Sequence, residues 1–117
     1  MADEAFTVKV EGLDKTINYL KELTVKMPEA ADRIIEDGGE MIFALSQRIV
    51  PVDTGMLQRS GTHVHTKMRS EVGYNTPYAE IVEFGSSKQA PHGYLRPAVE
   101  ISIPAINRKI DEELKKL

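Results

Sequence analysis

The strongest periodic signal in the chain lies between Pro28 and Val50, where Ala31, Ile34, Ile35, Gly38, Met41, Ile42, Leu45 and Ile49 recur at three- and four-residue spacing. That spacing predicts a long amphipathic helix, opened by a proline in its first turn, where the missing N–H costs nothing. Gly38-Gly39 inside it costs about 1 kcal/mol per glycine relative to alanine, so another element is expected to approach closely at that point. Upstream, Leu13, Ile17, Leu20, Leu23 and Met27 share one face of a shorter helix that Asp14 is placed to cap and Pro28 ends. Downstream, Val99, Ile103, Ile106, Ile110, Leu114 and Leu117 give a last helix its apolar face. This helix begins near Leu95 and tolerates Pro97 in its first turn, whereas Pro104 lies inside the pattern and predicts a kink, or a break and restart.

Between these segments the period changes. Phe6-Thr7-Val8-Lys9-Val10-Glu11 alternates apolar and polar residues, the period of a half-buried strand, and Gly12 ends it. Thr62-His63-Val64-His65-Thr66-Lys67-Met68 and Glu71-Val72-Gly73-Tyr74 read as a hairpin with its turn near Arg69-Ser70. After Pro51 a short turn of helix is expected, capped by Asp53 or Thr54 without a capping box. Asn75-Thr76-Pro77 is loop chemistry, and 77–84 predicts two helical turns with Tyr78, Ile81, Val82 and Phe84 as the apolar set, stopped by Gly85. Residues 85–93 are small and polar, broken by Pro91, and read as an exposed mobile loop. The pattern as a whole predicts an α+β fold in a single domain, 1–117. A small, mostly antiparallel sheet of 6–11, 62–68 and 71–74 is packed against the helices 28–50 and 97–117. The expected core is Ile34, Met41, Ile42, Leu45, Val99, Ile106 and Ile110.

Composition narrows the function classes. With 41% hydrophobic and 28% charged residues, wholesale disorder is excluded, and 117 residues suffice for one modest core. Cysteine is absent, which excludes disulfides and thiolate metal sites and fits a reducing compartment. The acidic start, Met1-Ala2-Asp3-Glu4, is unlike a secretory signal, and no apolar run approaches the ~20 residues that span a bilayer, so a soluble intracellular product without membrane contact is expected. A net charge of −3 gives no general attraction to nucleic acid. The charge is uneven, with ten acids and five bases in 1–40 against eight acids and ten bases in 41–117. Such asymmetry suits head-to-tail contact between copies as well as plain solvated helix faces.

Several residue sets invite a chemical reading. His63 and His65, two apart on a strand, project from one face and could hold a metal if the fold recruited Glu71 or His92; solvent-facing histidines are the simpler expectation. Asp53-Thr54-Gly55 has the residues of an aspartic-protease loop, but it follows a helical segment and has no second copy. Asp53 as a catalytic carboxylate, or Glu80 with Glu83 as an acid and base pair, lacks an ordered nucleophile, a phosphate cradle or an oxyanion site. A metal-dependent hydrolase is therefore disfavoured, no cofactor is implied, and helix capping accounts for Asp53. Arg48, Arg59, Lys67 and Arg69 make 48–69 locally basic, which admits a small DNA-binding regulator as the alternative function. There is little aromatic interleaving and no helix-turn-helix signature to support one.

Three blocks taken together carry a more specific signal: Pro51-Val52-Asp53-Thr54-Gly55-Met56-Leu57-Gln58-Arg59-Ser60, Tyr78-Ala79-Glu80-Ile81-Val82-Glu83-Phe84-Gly85, and Tyr94-Leu95-Arg96-Pro97-Ala98. Their order and spacing resemble the small neck, or tail-completion, proteins of long-tailed bacteriophages and prophages, which join the DNA-filled head to the tail. The resemblance implies a non-enzymatic structural subunit of the virion, made in the bacterial cytoplasm, which forms or docks on a ring. Its implied partners are copies of itself and adjacent head-connector and tail-terminator or tail-tube proteins, with at most unspecific contact with passing DNA. The motif residues it singles out are Asp53, Thr54, Gly55, Tyr78, Glu83, Phe84, Gly85, Tyr94, Leu95, Arg96 and Pro97. Gly55 is expected to allow a tight approach or a positive φ, Gly85 to stop a helix, and Arg96 to pair with Glu83 or a helix C-terminus. Phe84 and Tyr94 are the expected apolar anchors of the 85–93 loop against a neighbour. This chain departs from the family pattern at Ser86, where threonine is usual, and at Gly93-Tyr94, where proline-phenylalanine is usual.

Overall fold

Two prolines set the main joints of the chain. A residue before proline is pushed out of the helical region. Met27, before Pro28, sits at φ −144°, ψ 76°, and Val50, before Pro51, at φ −58°, ψ 135°. Each therefore ends a helix. The computed structural model describes residues 13–52, 55–88 and 90–117. Its elements are α1 (Asp14–Lys26), α2 (Pro28–Ile49), α3 (Met56–Arg59), β1 (Thr62–Thr66), β2 (Arg69–Gly73), α4 (Ala79–Phe84) and α5 (Leu95–Leu114). The predicted α+β class holds: two long helices, α2 and α5, frame a small antiparallel sheet, and α1 packs along both. The expected strand at 6–11 lies outside the described residues.

The molecule is elongated, 51 × 25 × 23 Å, and its core divides accordingly. Near one end Leu23, Ala31, Ile34 and Ile110 are buried together, with Tyr19, Leu20, Met27, Met68, Ile106 and Leu114 packed on them. Near the other, Val50, Leu57, Tyr74, Ala79, Tyr94 and Leu95 form a second cluster, flanked by Ile49, Val72 and Val82. This corrects the expected core. Ile34 and Ile110 are buried and Ile106 packs beside them, but Met41, Ile42, Leu45 and Val99 fall between the clusters along α2 and α5 and are only half-buried. The glycine pair behaves as expected. A methyl group at Gly38 would lie 3.2 Å from Ile106 Cδ1 of α5, and one at Gly39 would lie 2.5 Å from His63 Nε2 and 2.7 Å from Ser70 Cβ of the hairpin.

Helix α5 runs through Pro104 as one helix, so of the expected kink or break and restart the break does not occur. Pro104 is exposed, so its ring sits outside the packed face, and the turn before it is held by Ser102 Oγ donating to the Ala98 carbonyl at 2.7 Å. Polar ties fix the helices in register: Thr16 Oγ1 donates to Asn107 Oδ1 at 2.6 Å, and Lys109–Asp37 and Arg33–Glu113 join α5 to α2.

The hairpin departs from expectation twice. Its turn is Lys67-Met68 rather than Arg69-Ser70, with Thr66 opposite Arg69. Met68 adopts φ 63°, a left-handed conformation costly for a residue with a side chain. It is held there because its N–H donates to Asp32 Oδ1 at 2.6 Å and its side chain joins the Leu23–Ile110 cluster. The faces are also reversed. His63 and His65 turn inward, half-buried, whereas Val64 on the opposite face is exposed.

Candidate functional site at the junction of the three motif blocks

The fold brings the three blocks to one end of the molecule, around the second core cluster. Leu57 of α3, Ala79 of α4, and Tyr94 and Leu95 at the start of α5 are buried against one another. Tyr94 is the hub. Its ring meets that of Tyr74 edge to face, centroids 4.8 Å apart, and its hydroxyl donates to the Ala79 carbonyl at 2.8 Å. Burial, with the negative charge of Glu83 adding to it, pushes the Tyr94 phenol well above the ordinary tyrosine range.

Glu83 connects the second block to the third. It is 4% exposed, and its carboxylate caps α5 from outside that helix. Oε1 accepts the backbone N–H of Tyr94 and of Leu95, both at 2.9 Å, and Oε2 accepts that of Arg96 at 3.2 Å. The first turn of any helix leaves such amides without partners, and a negative charge there also complements the helix dipole. The expected Arg96–Glu83 pairing is thus corrected: the backbone of Arg96, not its guanidinium, meets the carboxylate, and the side chain is exposed. Gly93 leaves the room this needs, since a methyl group on it would come within 3.2 Å of Glu83 Oε2. Gly85 stops α4 at φ 80°, ψ 177°, a conformation essentially reserved for glycine.

The first block is tied in by a buried polar set. Tyr74 Oη lies 2.6 Å from Ser46 Oγ and accepts from Gln47 Nε2 at 2.8 Å, while Gln47 and Gln58 exchange amide-to-backbone hydrogen bonds at 3.0 Å each. Gly55 caps α3 at φ 82°, with Arg59 so close that a methyl group would lie 2.6 Å from its Nη1. Of the two roles expected of Gly55, the positive φ is present. The capping assigned to Asp53 or Thr54 falls outside the described residues.

Over this scaffold lies an open groove of about 830 Å³, lined by Pro51, Gly55, Met56, Leu57, Tyr78, Ile81, Val82 and Ala90-Pro91-His92. Its surroundings are unusually apolar: Val52 (60%), Met56 (52%), Phe84 (45%), Ile81 (42%) and Tyr78 (36%) are exposed. The apolar set expected for 77–84 is split, because Val82 packs inward while Tyr78, Ile81 and Phe84 face out. Of the two expected loop anchors, Tyr94 is fully buried and unavailable to a neighbour, whereas Phe84 lies on the surface. Pro97 is half-buried in the first turn of α5. Residues 86–88 and 90–92 are exposed, and the loop closes with the His92 N–H donating to the Val82 carbonyl at 2.8 Å.

The geometry bears on two of the chemical readings. Glu80 is exposed and Glu83 is committed to three amides, so they do not form an acid and base pair. His63 and His65 share a face, but among the described residues no group of three or more His, Cys, Asp or Glu side chains is placed to hold a metal. The residues missed from sequence are Ser46, Gln47, Gln58 and Tyr74. Only Gln58 falls within a motif block, and no spacing rule marks the others.

Residues 14–85 match the family model described as "Bacteriophage HK97-gp10, putative tail-component". No curated protein and no solved structure matches the chain.

Proposed function

The chain belongs to the HK97-gp10-like family of bacteriophage tail components, and from that premise we propose that it is a structural subunit at the neck or tail end of the particle, joining head to tail or completing the tail. The observation that carries this reading is the groove. Evolved monomers rarely gather large apolar side chains on one surface unless that surface is covered in use, and here exposed Met56, Tyr78 and Ile81 line a concavity built from the first two motif blocks and residues 90–92, with Val52 and Phe84 exposed in the same two blocks. The site offers apolar area rather than reacting groups, which suits a docking role.

Charge narrows the partner. Among the described residues of the lining segments 51–59 and 78–92, the exposed charged side chains are Arg59 and Lys88 against Glu80. An apolar segment with acidic flanks on a neighbouring virion subunit, either another copy or an adjacent connector or terminator protein, is the complementary occupant. Contacts of one face with a different face generate rings when the rotation closes, so a ring of copies follows naturally from such a groove. The 85–93 loop, with few inward contacts of its own, is mobile in the free subunit and orders against that neighbour.

The test is complementation of a phage lacking the gene. Ile81→Asp, on the exposed face of α4, leaves the isolated protein folded by circular dichroism but gives unjoined heads and tails. Normal infectious particles from this variant would overturn the docking role. A small DNA-binding regulator is the rival, and it predicts DNA affinity that falls steeply with salt.

A further inference from the structure

The inward-facing histidines on β1 belong to a hydrogen-bond chain that the docking groove does not use. His65 Nδ1 lies 2.7 Å from Ser70 Oγ, and His65 Nε2 lies 3.1 Å from Asp32 Oδ1. Ser70 Oγ donates to the Ile35 carbonyl at 3.0 Å, and His63 Nε2 lies 3.3 Å from the same oxygen. Asp32 Oδ1 also receives the Met68 N–H. This chain pins both strands and the turn of the hairpin to α2.

Counting protons shows what the full set of contacts requires. A carboxylate only accepts, so the Asp32 contact needs a hydrogen on His65 Nε2. A serine hydroxyl has one hydrogen, which its bond to the Ile35 carbonyl uses, so the Nδ1 contact needs a hydrogen on Nδ1 as well. All the contacts are made together only when the His65 ring carries both protons. A neutral ring must give up a bond, either to Asp32 or, by drawing the serine hydrogen, from Ser70 to Ile35. The turn that this chain holds contains Met68 at φ 63°, a left-handed conformation.

We propose that Asp32, His65 and Ser70 form a proton-dependent latch between the hairpin and α2, closed when His65 is doubly protonated and loosened as it loses a proton. The charged groups facing the ring are few. Asp32 comes from α2, His63 lies two residues away on the same strand face, and Lys67 in the turn also acts on Asp32. Arg69 and Glu71 pair with each other at 2.6 Å on the other face of the hairpin. The hairpin is therefore held most firmly on the acid side of the imidazole range, provided that Asp32 stays ionised, and opens more readily as pH rises through that range.

The whole chain followed by proton–nitrogen NMR between about pH 5 and pH 8 tests the proposal. The Met68 and Ser70 amides are expected to shift in one titration that coincides with the His65 ring signals. Opening of the hairpin relative to α5, from exchange rates corrected for intrinsic pH dependence, rises on the order of tenfold, the equivalent of one charge-assisted hydrogen bond. His63→Gln keeps this response, and Asp32→Asn with its helices intact abolishes it. A response that follows His63 in place of His65, or persists in Asp32→Asn, overturns the latch, as does hairpin opening that is flat across the range. If Asp32→Asn does not fold, His65→Gln takes its place and must show no dependence.

Discussion

Replacing Glu83 tests how the second and third motif blocks are joined. Its carboxylate is buried and accepts three main-chain amides, at 2.9, 2.9 and 3.2 Å, from the first turn of α5. Losing an ordinary exposed cap costs about 0.5–2 kcal/mol. Here the acceptor is charged, for which each hydrogen bond is worth about 1.5–3 kcal/mol net, and a buried amide left without a partner costs about 1–3 kcal/mol. Tyr94 and Leu95 are buried, so water does not readily replace the carboxylate at their amides, while exposed Arg96 recovers much of its loss from solvent. Glu83→Ala should therefore cost about 3–5 kcal/mol, a large share of the roughly 6–18 kcal/mol expected for a domain of this size. Glu83→Gln retains an oxygen for Tyr94 and Leu95 but sets its amide against Arg96, and should cost about 1–2 kcal/mol. Guanidinium unfolding followed by circular dichroism gives both values. Hydrogen exchange should place the loss first at the amides of 94–96. If Glu83→Ala costs less than about 1 kcal/mol, the carboxylate is not what orders the start of α5.

Other substitutions probe separate parts of the structure. Gly61→Ala would put a methyl group 2.5 Å from Gln47 Nε2 and 2.7 Å from Tyr74 Cε2, and should destabilise by about 1–3 kcal/mol in chemical denaturation. Leu23→Ala, at a fully buried position, should cost about 2–5 kcal/mol, whereas Leu45→Ala, at a half-buried one, should cost clearly less. The Asp32 carboxyl is held below the ordinary carboxylate range, first by the Met68 N–H and then by His65. A lowered pKa means that its contribution to stability is present above the unfolded value and disappears as pH falls through the folded one. Acid unfolding curves should thus show a loss below about pH 4 that Asp32→Asn lacks.

What the sequence made legible followed from local periodicity. Helices α1, α2 and α5 were readable because apolar residues at helical spacing report the buried face directly, and the two prolines marked their joints. Gly38-Gly39 was readable as a close approach because helix propensity alone argues against it. What failed depends on partners far away in the chain. The hairpin turn lies at Lys67-Met68 because Asp32, 36 residues earlier, accepts the amide of a left-handed methionine. His63 and His65 point inward because Asp32 and the Ile35 carbonyl of α2 supply their polar surroundings, directly or through Ser70. At the groove, only Gly55 and Tyr78 of the residues singled out by resemblance are lining residues. Glu83 as a cap for another helix, and Tyr94 as a buried hub rather than a surface anchor, emerge only once α4 and α5 are side by side.

The clasp at the base of the α4–α5 connection separates the fate of the loop from that of the fold. Glu83 fixes the far side of the connection at 94–96, and the His92 N–H bond to Val82 closes it just beyond the last turn of α4. Between them, residues 86–88, 90 and 91 are exposed. Closing a longer loop costs little more than closing a short one, about 0.6 kcal/mol for each doubling of length. Related chains are thus free to lengthen, shorten or rewrite this segment to suit a different neighbour while the helices beneath keep their positions. Host particles can diverge around a constant subunit, and the same gap between Ser87 and Lys88 is a natural place to graft a tag or a foreign epitope.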